Sequence, residues 1–175
     1  RAVDRVGGGG YDLLLGGDDQ DAMFGAAGND VINGGVGLDT LDGGLGDDLL
    51  QSGSGDDTIR GGEQRAVYWE QNRLGDRDTV SYREVIGEGI NVDLSQSKIT
   101  GTAVGSAIPS IVGVDRYYGI EAIEATRASD LVTGRVGQGG PDTVQHNIVV
   151  AGMGGSDMFV QDSVGTERWV DGLIV

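Results

Sequence analysis

Cysteine is absent from the 175-residue chain, and histidine occurs once, as His146. No disulfide framework can form, and a zinc site built from Cys and His ligands is excluded. Aromatic side chains make up 5% of the residues whereas glycine occurs 34 times, so a thick conventional core is not encoded. Basic residues are also scarce: 12 Lys and Arg against 28 Asp and Glu give a formal net charge of −16. A field of that sign repels phosphate backbones and anionic lipid, which excludes a nucleic-acid binder and a binder of anionic membranes. No apolar run approaches the ~20 residues of a membrane-spanning helix. The motifs H-E-x-x-H and G-x-S-x-G are missing, so neither metalloprotease nor lipase chemistry is expected. The glycine-rich loops carry acidic residues where a phosphate-binding loop needs Lys, and His146 reads as a loop or strand position. No enzymatic activity is expected.

What the chain does have is a strict phase. From Gly7 to Arg60 it divides without insertion into GGGGYDLLL, GGDDQDAMF, GAAGNDVIN, GGVGLDTLD, GGLGDDLLQ and SGSGDDTIR. The sixth position is always Asp: Asp12, Asp21, Asp30, Asp39, Asp48 and Asp57. The eighth is always large and apolar: Leu14, Met23, Ile32, Leu41, Leu50 and Ile59. Composition alone would also allow a disordered Gly/Asp linker. A linker, however, has no reason to place Leu, Ile or Met every nine residues.

This pattern resembles the RTX (hemolysin-type) nonapeptide repeat, G-G-x-G-x-D-x-U-x, with U a large apolar residue. The resemblance implies an all-β fold, a right-handed parallel β-roll with calcium in its turns. In such a roll the last three positions of each repeat form a very short strand, and two nonapeptides complete one coil. The loops of Asp12, Asp30 and Asp48 then share one edge, and those of Asp21, Asp39 and Asp57 share the other.

Stacked strands lie ~4.8 Å apart, so each edge becomes a ladder of carboxylates and loop carbonyls. Like charges at that distance repel by about 1 kcal/mol in water and several-fold more at lower dielectric. A hard cation taking about six to eight oxygen ligands removes the repulsion, and calcium fits this donor set. Six apolar side chains make too thin a core to order so much glycine unaided. Ion binding is therefore expected to supply the missing stability, with folding coupled to calcium. Six stacked loops suggest about four or five ions.

The remainder is less regular. Val3 and Val6 suit the continuation of an earlier strand. Asp19 and Ala26 replace the consensus glycines at the fourth and second positions of their repeats, and Asp18, Asp19 and Asp21 together suggest altered calcium geometry. Asp47 and Asp56, at the fifth position, read as solvated charge, with ligation the alternative. The outward seventh position is Leu13, Val31 and Leu49 on one sheet but Ala22, Thr40 and Thr58 on the other. The apolar row reflects either surface β-propensity or a face that packs against later chain or a neighbouring subunit.

At this length one or two domains are expected. Residues 1–62 read as the regular roll, 63–127 as an insert loop and joining β-strands, and 128–175 as a degenerate second roll with an interrupted end. Residues 63–77 lose the phase and hold Trp69, read as a local packing anchor. The run Asp78–Leu94, with DTVSY and INVDL, followed by YGIEAIEAT and SDLVTG, resembles the segment that joins two RTX rolls. Ile90, Val92 and Leu94 share one face, and residues 95–116 read as a loop excursion. Glu121 and Glu124 read as structural or solvated carboxylates. Asp130, Asp142 and Asp157 restart the sixth-and-eighth pairing irregularly, with Asp157 and then Asp142 the better metal candidates. Trp169 reads as a cover for the end of the core.

The expected calcium ligands are Asp12, Asp21, Asp30, Asp39, Asp48, Asp57, Asp142 and Asp157. The resemblance implies a structural calcium-binding module of a secreted or bacterial cell-surface protein: an adhesin, a surface layer or another extracellular assembly. The alternative is the C-terminal carrier and folding module of a type I-secreted enzyme or toxin whose active domain lies elsewhere. Self-assembly, or packing against the rest of a longer chain, is the partner class expected. The opening Arg and the lack of a signal peptide suggest a piece of something longer.

Overall fold

In each regular repeat the apolar eighth residue is followed, two positions on, by a glycine or serine. An extended backbone turns both toward the same side, which buries one face of every strand. The computed structural model describes residues 2, 4–62, 77–97, 100–105, 112–120, 122–135, 149–151, 158–162, 169–170 and 173–174. Seven strands start at nine-residue intervals: β1 (Asp4–Gly9), β2 (Leu13–Asp18), β3 (Ala22–Ala27), β4 (Val31–Val36), β5 (Thr40–Leu45), β6 (Leu49–Ser54) and β7 (Thr58–Gly62). These are longer than the three-residue strands expected. The chain stays hydrogen-bonded to its neighbour past the glycines, because residues such as Gly35 take a positive φ, here 106°, and bend the strand without ending it.

Ten further strands follow: β8 (Thr79–Ser81), β9 (Ile90–Ser97), β10 (Thr100–Gly105), β11 (Val114–Tyr118), β12 (Ala122–Glu124), β13 (Leu131–Arg135), β14 (Val149–Ala151), β15 (Met158–Asp162), β16 (Trp169–Val170) and β17 (Leu173–Ile174). Among the described residues they build a nine-stranded sheet, β1-β3-β5-β7-β11-β10-β9-β13-β15, a six-stranded sheet, β14-β12-β8-β6-β4-β2, and the pair β16-β17. Consecutive strands of the regular run alternate between the two large sheets, and neighbours within each sheet are parallel. This is a β-solenoid, an all-β parallel roll. No helix of the described residues is long and apolar enough to cross a membrane.

Pairing in register stacks the eighth positions into two columns. One runs Leu14, Ile32, Leu50, Val80, Ile123, and the other Met23, Leu41, Ile59, Tyr117. All nine side chains are buried and together make up most of the core. At the N-terminal end the register pairs Arg5, not a valine, with Met23, and Val6 is 70% exposed. β1 thus extends the sheet without extending the apolar column; Val3 lies outside the described residues.

The stacking carries on beyond residue 62. β8 adds to β6 and β11 adds to β7, both parallel. Residues 95–116 are not a simple excursion, since β10 runs antiparallel to both β9 and β11. The Thr/Ala/Val alternation of TGTAVG supplies the β-propensity for it. Ile90 and Val92 are buried with Asn91 exposed between them, as alternation requires. Trp69 and Glu121 lie outside the described residues, as does the side chain of Trp169.

Candidate metal centre

Every regular Asp sits where a loop turns into a strand, so the 18-residue coil brings each one above the next. The hydrogen bonds at that junction run both ways. The backbone N–H of Asp12 donates to Oδ1 of Asp30 at 2.8 Å, and Asp30 N–H donates to Asp48 Oδ1 at 2.8 Å. On the other edge Asp21 N–H donates to Asp39 Oδ1 at 2.8 Å, and Asp39 N–H to Asp57 Oδ1 at 2.7 Å. In return the carbonyls of Asp12, Asp21, Asp30 and Asp39 accept the N–H of the seventh-position residue one coil on.

Both ladders gain a rung that the nine-residue phase did not reveal. Asp48 N–H donates to Asp78 Oδ1 at 3.0 Å, and Asp57 N–H donates to Asp115 Oδ1 at 3.1 Å. The signal was local: Asp78-Thr79-Val80 and Asp115-Arg116-Tyr117 each repeat the Asp-x-apolar triplet. Unrelated sequence before each one hides the period. Asp47 and Asp56 are exposed, yet each has a structural role: their Oδ1 atoms accept the N–H of Arg77 at 2.8 Å and Val114 at 2.9 Å. Glu124 Oε2 accepts the Ser81 hydroxyl at 2.7 Å. Asp142 and Asp157 lie outside the described residues.

In Asp30, Asp39, Asp48 and Asp57 one carboxylate oxygen, Oδ1, serves the backbone. The Oδ2 atoms of Asp12, Asp30, Asp39 and Asp57 are buried with no hydrogen-bond partner. Those of Asp12, Asp30 and Asp39 face the first-position glycine of their own repeat, where the missing side chain leaves room. A Cβ on Gly7 would come within 2.8 Å of Asp12 Oδ2 and 2.6 Å of the Gly25 carbonyl oxygen. On Gly25 it would strike Asp30 Oδ2 and the Gly43 carbonyl, and on Gly34 Asp39 Oδ2 and the Ser52 carbonyl. Gly16 repeats the arrangement with Asp21, Gly43 with Asp48 and Gly61 with Asp78.

An anionic oxygen and a carbonyl oxygen therefore converge on one spot in each coil. Burying such oxygens unpaired is costly, and a cation is the partner that suits them both. Among the described residues no three His, Cys, Asp or Glu side chains group into a metal site. The donors that converge at these points are a carboxylate oxygen and a main-chain carbonyl, a set suited to a hard cation such as calcium and unsuited to zinc.

The electrostatics agree. Burial pushes the carboxyl of Asp57 up to about 7, with Asp115, Asp39 and Asp56 adding repulsion against the hydrogen bond from Asp39. Burial also raises Asp39. Asp115 is pushed up to about 6 by burial, held there against three hydrogen bonds.

Residues 6–32 and 33–65 match the family model of the RTX calcium-binding nonapeptide repeat, in four copies. The regular roll is built of RTX repeats. No curated protein matches the chain. The RTX run is thus a calcium-binding structural module.

Proposed function

We propose that Asp12, Asp21, Asp30, Asp39, Asp48 and Asp57 ligate calcium through Oδ2 together with loop carbonyls, and that Asp142 and Asp157 serve a second, irregular roll. The supporting observation is the buried, unpartnered Oδ2 of Asp12, Asp30 and Asp39 beside a main-chain carbonyl. Calcium supplies positive charge and several coordination positions at those points. The chain's own residues supply the rest: glycines keep the cradle open, and the Asp N–H to Oδ1 bonds fix the carboxylates of Asp30, Asp39, Asp48 and Asp57.

The module is non-catalytic and belongs to a secreted or cell-surface protein, an adhesin, surface layer or comparable extracellular assembly, and it folds on meeting calcium outside the cell. Calcium sites of extracellular modules bind at about 10⁻⁴ to 10⁻³ M, so calcium-coupled folding would keep the chain unfolded until export. Circular dichroism of the full chain with calcium and with excess chelator tests the coupling. Strand signal that appears only with calcium is expected; strand signal unchanged in chelator overturns the proposal. Light scattering in millimolar calcium tests the assembly role, for which ordered filaments or lattices are expected. A strictly monomeric protein would instead favour a carrier module of a secreted enzyme or toxin.

A further inference from the structure

The ladder Asp21–Asp39–Asp57–Asp115 ends differently from the way it runs. Asp115 is fully buried, and its Oδ1 accepts the Asp57 N–H as on every other rung. Its Oδ2, unlike the buried and unpartnered Oδ2 of Asp39 and Asp57, accepts two hydroxyls: Ser52 Oγ at 2.8 Å and Tyr82 Oη at 2.9 Å. The sequence changes at the same place. Repeats one to five open on Gly7, Gly16, Gly25, Gly34 and Gly43, whereas the sixth opens on Ser52. Tyr82 comes from the residue after β8, and its ring belongs to the buried core.

We infer that the Ser52 and Tyr82 hydroxyls close this ladder in place of a cation, making Asp115 a rung that holds no calcium. This rests on the regular rungs being calcium ligands. Three donors within 3.1 Å satisfy the Asp115 carboxylate with charge-assisted hydrogen bonds. A cation at Oδ2 would have to displace a phenol that is 1% exposed, leaving its O–H buried and unpaired. Ser52 and Tyr82 thus decide where the run of ions stops on this edge, and the chain replaces the metal with its own side chains.

Native mass spectrometry of the full chain at saturating calcium, counting bound ions, tests this. Asp30→Asn should lose at least one ion. Asp115→Asn should keep the wild-type count, because the amide retains Oδ1 as acceptor and both hydroxyls can turn to accept from its NH₂. The double variant Ser52→Gly/Tyr82→Phe, which strips Oδ2 of both donors, should gain one ion. The inference is overturned if Asp115→Asn loses an ion as Asp30→Asn does, or if the folded double variant keeps the wild-type count. Should Asp115→Asn not fold, the double variant alone decides. An unchanged count in Asp30→Asn would instead overturn the assignment of the regular rungs.

Discussion

Ala26 stands at a second repeat position with φ 85°, and Asp19 at a fourth with φ 76°. Both replace consensus glycines while keeping the backbone that glycine would adopt. An L-residue with a Cβ is strained there by roughly 1–2 kcal/mol, and Asp tolerates the region better than Ala. Ala26→Gly is therefore expected to stabilise the calcium-loaded roll by about 1 kcal/mol, read as a raised denaturant midpoint, with a smaller gain for Asp19→Gly. Protonation is the other single-residue lever. Burial lifts Asp57 to about 7 and raises Asp39, so without metal the folded form favours the neutral acids. That contribution is fully present below the ordinary carboxyl pKa and is lost as pH rises through about 7. In chelator, strand signal should be greater at pH 5 than at pH 8. In calcium the order reverses, since protons and calcium compete for the same oxygens, and the calcium midpoint should rise as pH falls below about 7. A midpoint independent of pH would contradict this.

Each element of the roll touches the coil before it and the coil after it. Ile32 sits in a column between Leu14 and Leu50, so truncating it leaves a void in the middle of a core only two columns wide. Ile32→Ala should cost about 2–5 kcal/mol. Because a solenoid's stability is a sum over neighbouring repeats, the loss should appear as a higher calcium requirement, measured by circular dichroism during titration. This regularity is also why so much could be read from the sequence. Every nonapeptide meets the same surroundings, so one alignment of Asp and apolar positions yields the strands, the two columns and both ladders. Legibility ends where surroundings change. Asp78 and Asp115 join the ladders through spatial stacking after stretches of unrelated sequence, which no fixed interval anticipates. The Ser/Thr/Gly content around β10 predicts a loop, because the strand gains its partners, β9 and β11, only in the folded chain. The hydroxyls on Asp115 come from Ser52 and Tyr82, residues whose meeting depends on the wound chain and on no local motif.

At the scale of the molecule, charge and thinness act together. A net charge of −16 on a chain whose core is two columns wide opposes compaction until cations arrive. Small-angle scattering should show the radius of gyration falling by about half or more on adding calcium, from the ~44 Å of an unfolded chain of this length toward the ~16 Å of a compact one. Equal radii with calcium and with chelator would contradict the coupling. The register between coils, with each Asp bonded to the Asp 18 residues on, has a further consequence. Nine residues inserted between Ser52 and Asp115 would hand every later loop to the opposite edge and part those two side chains. Lengthening or shortening such a protein is thus quantised: it proceeds by whole turns, two repeats at a time, or the winding loses its match with what lies beyond.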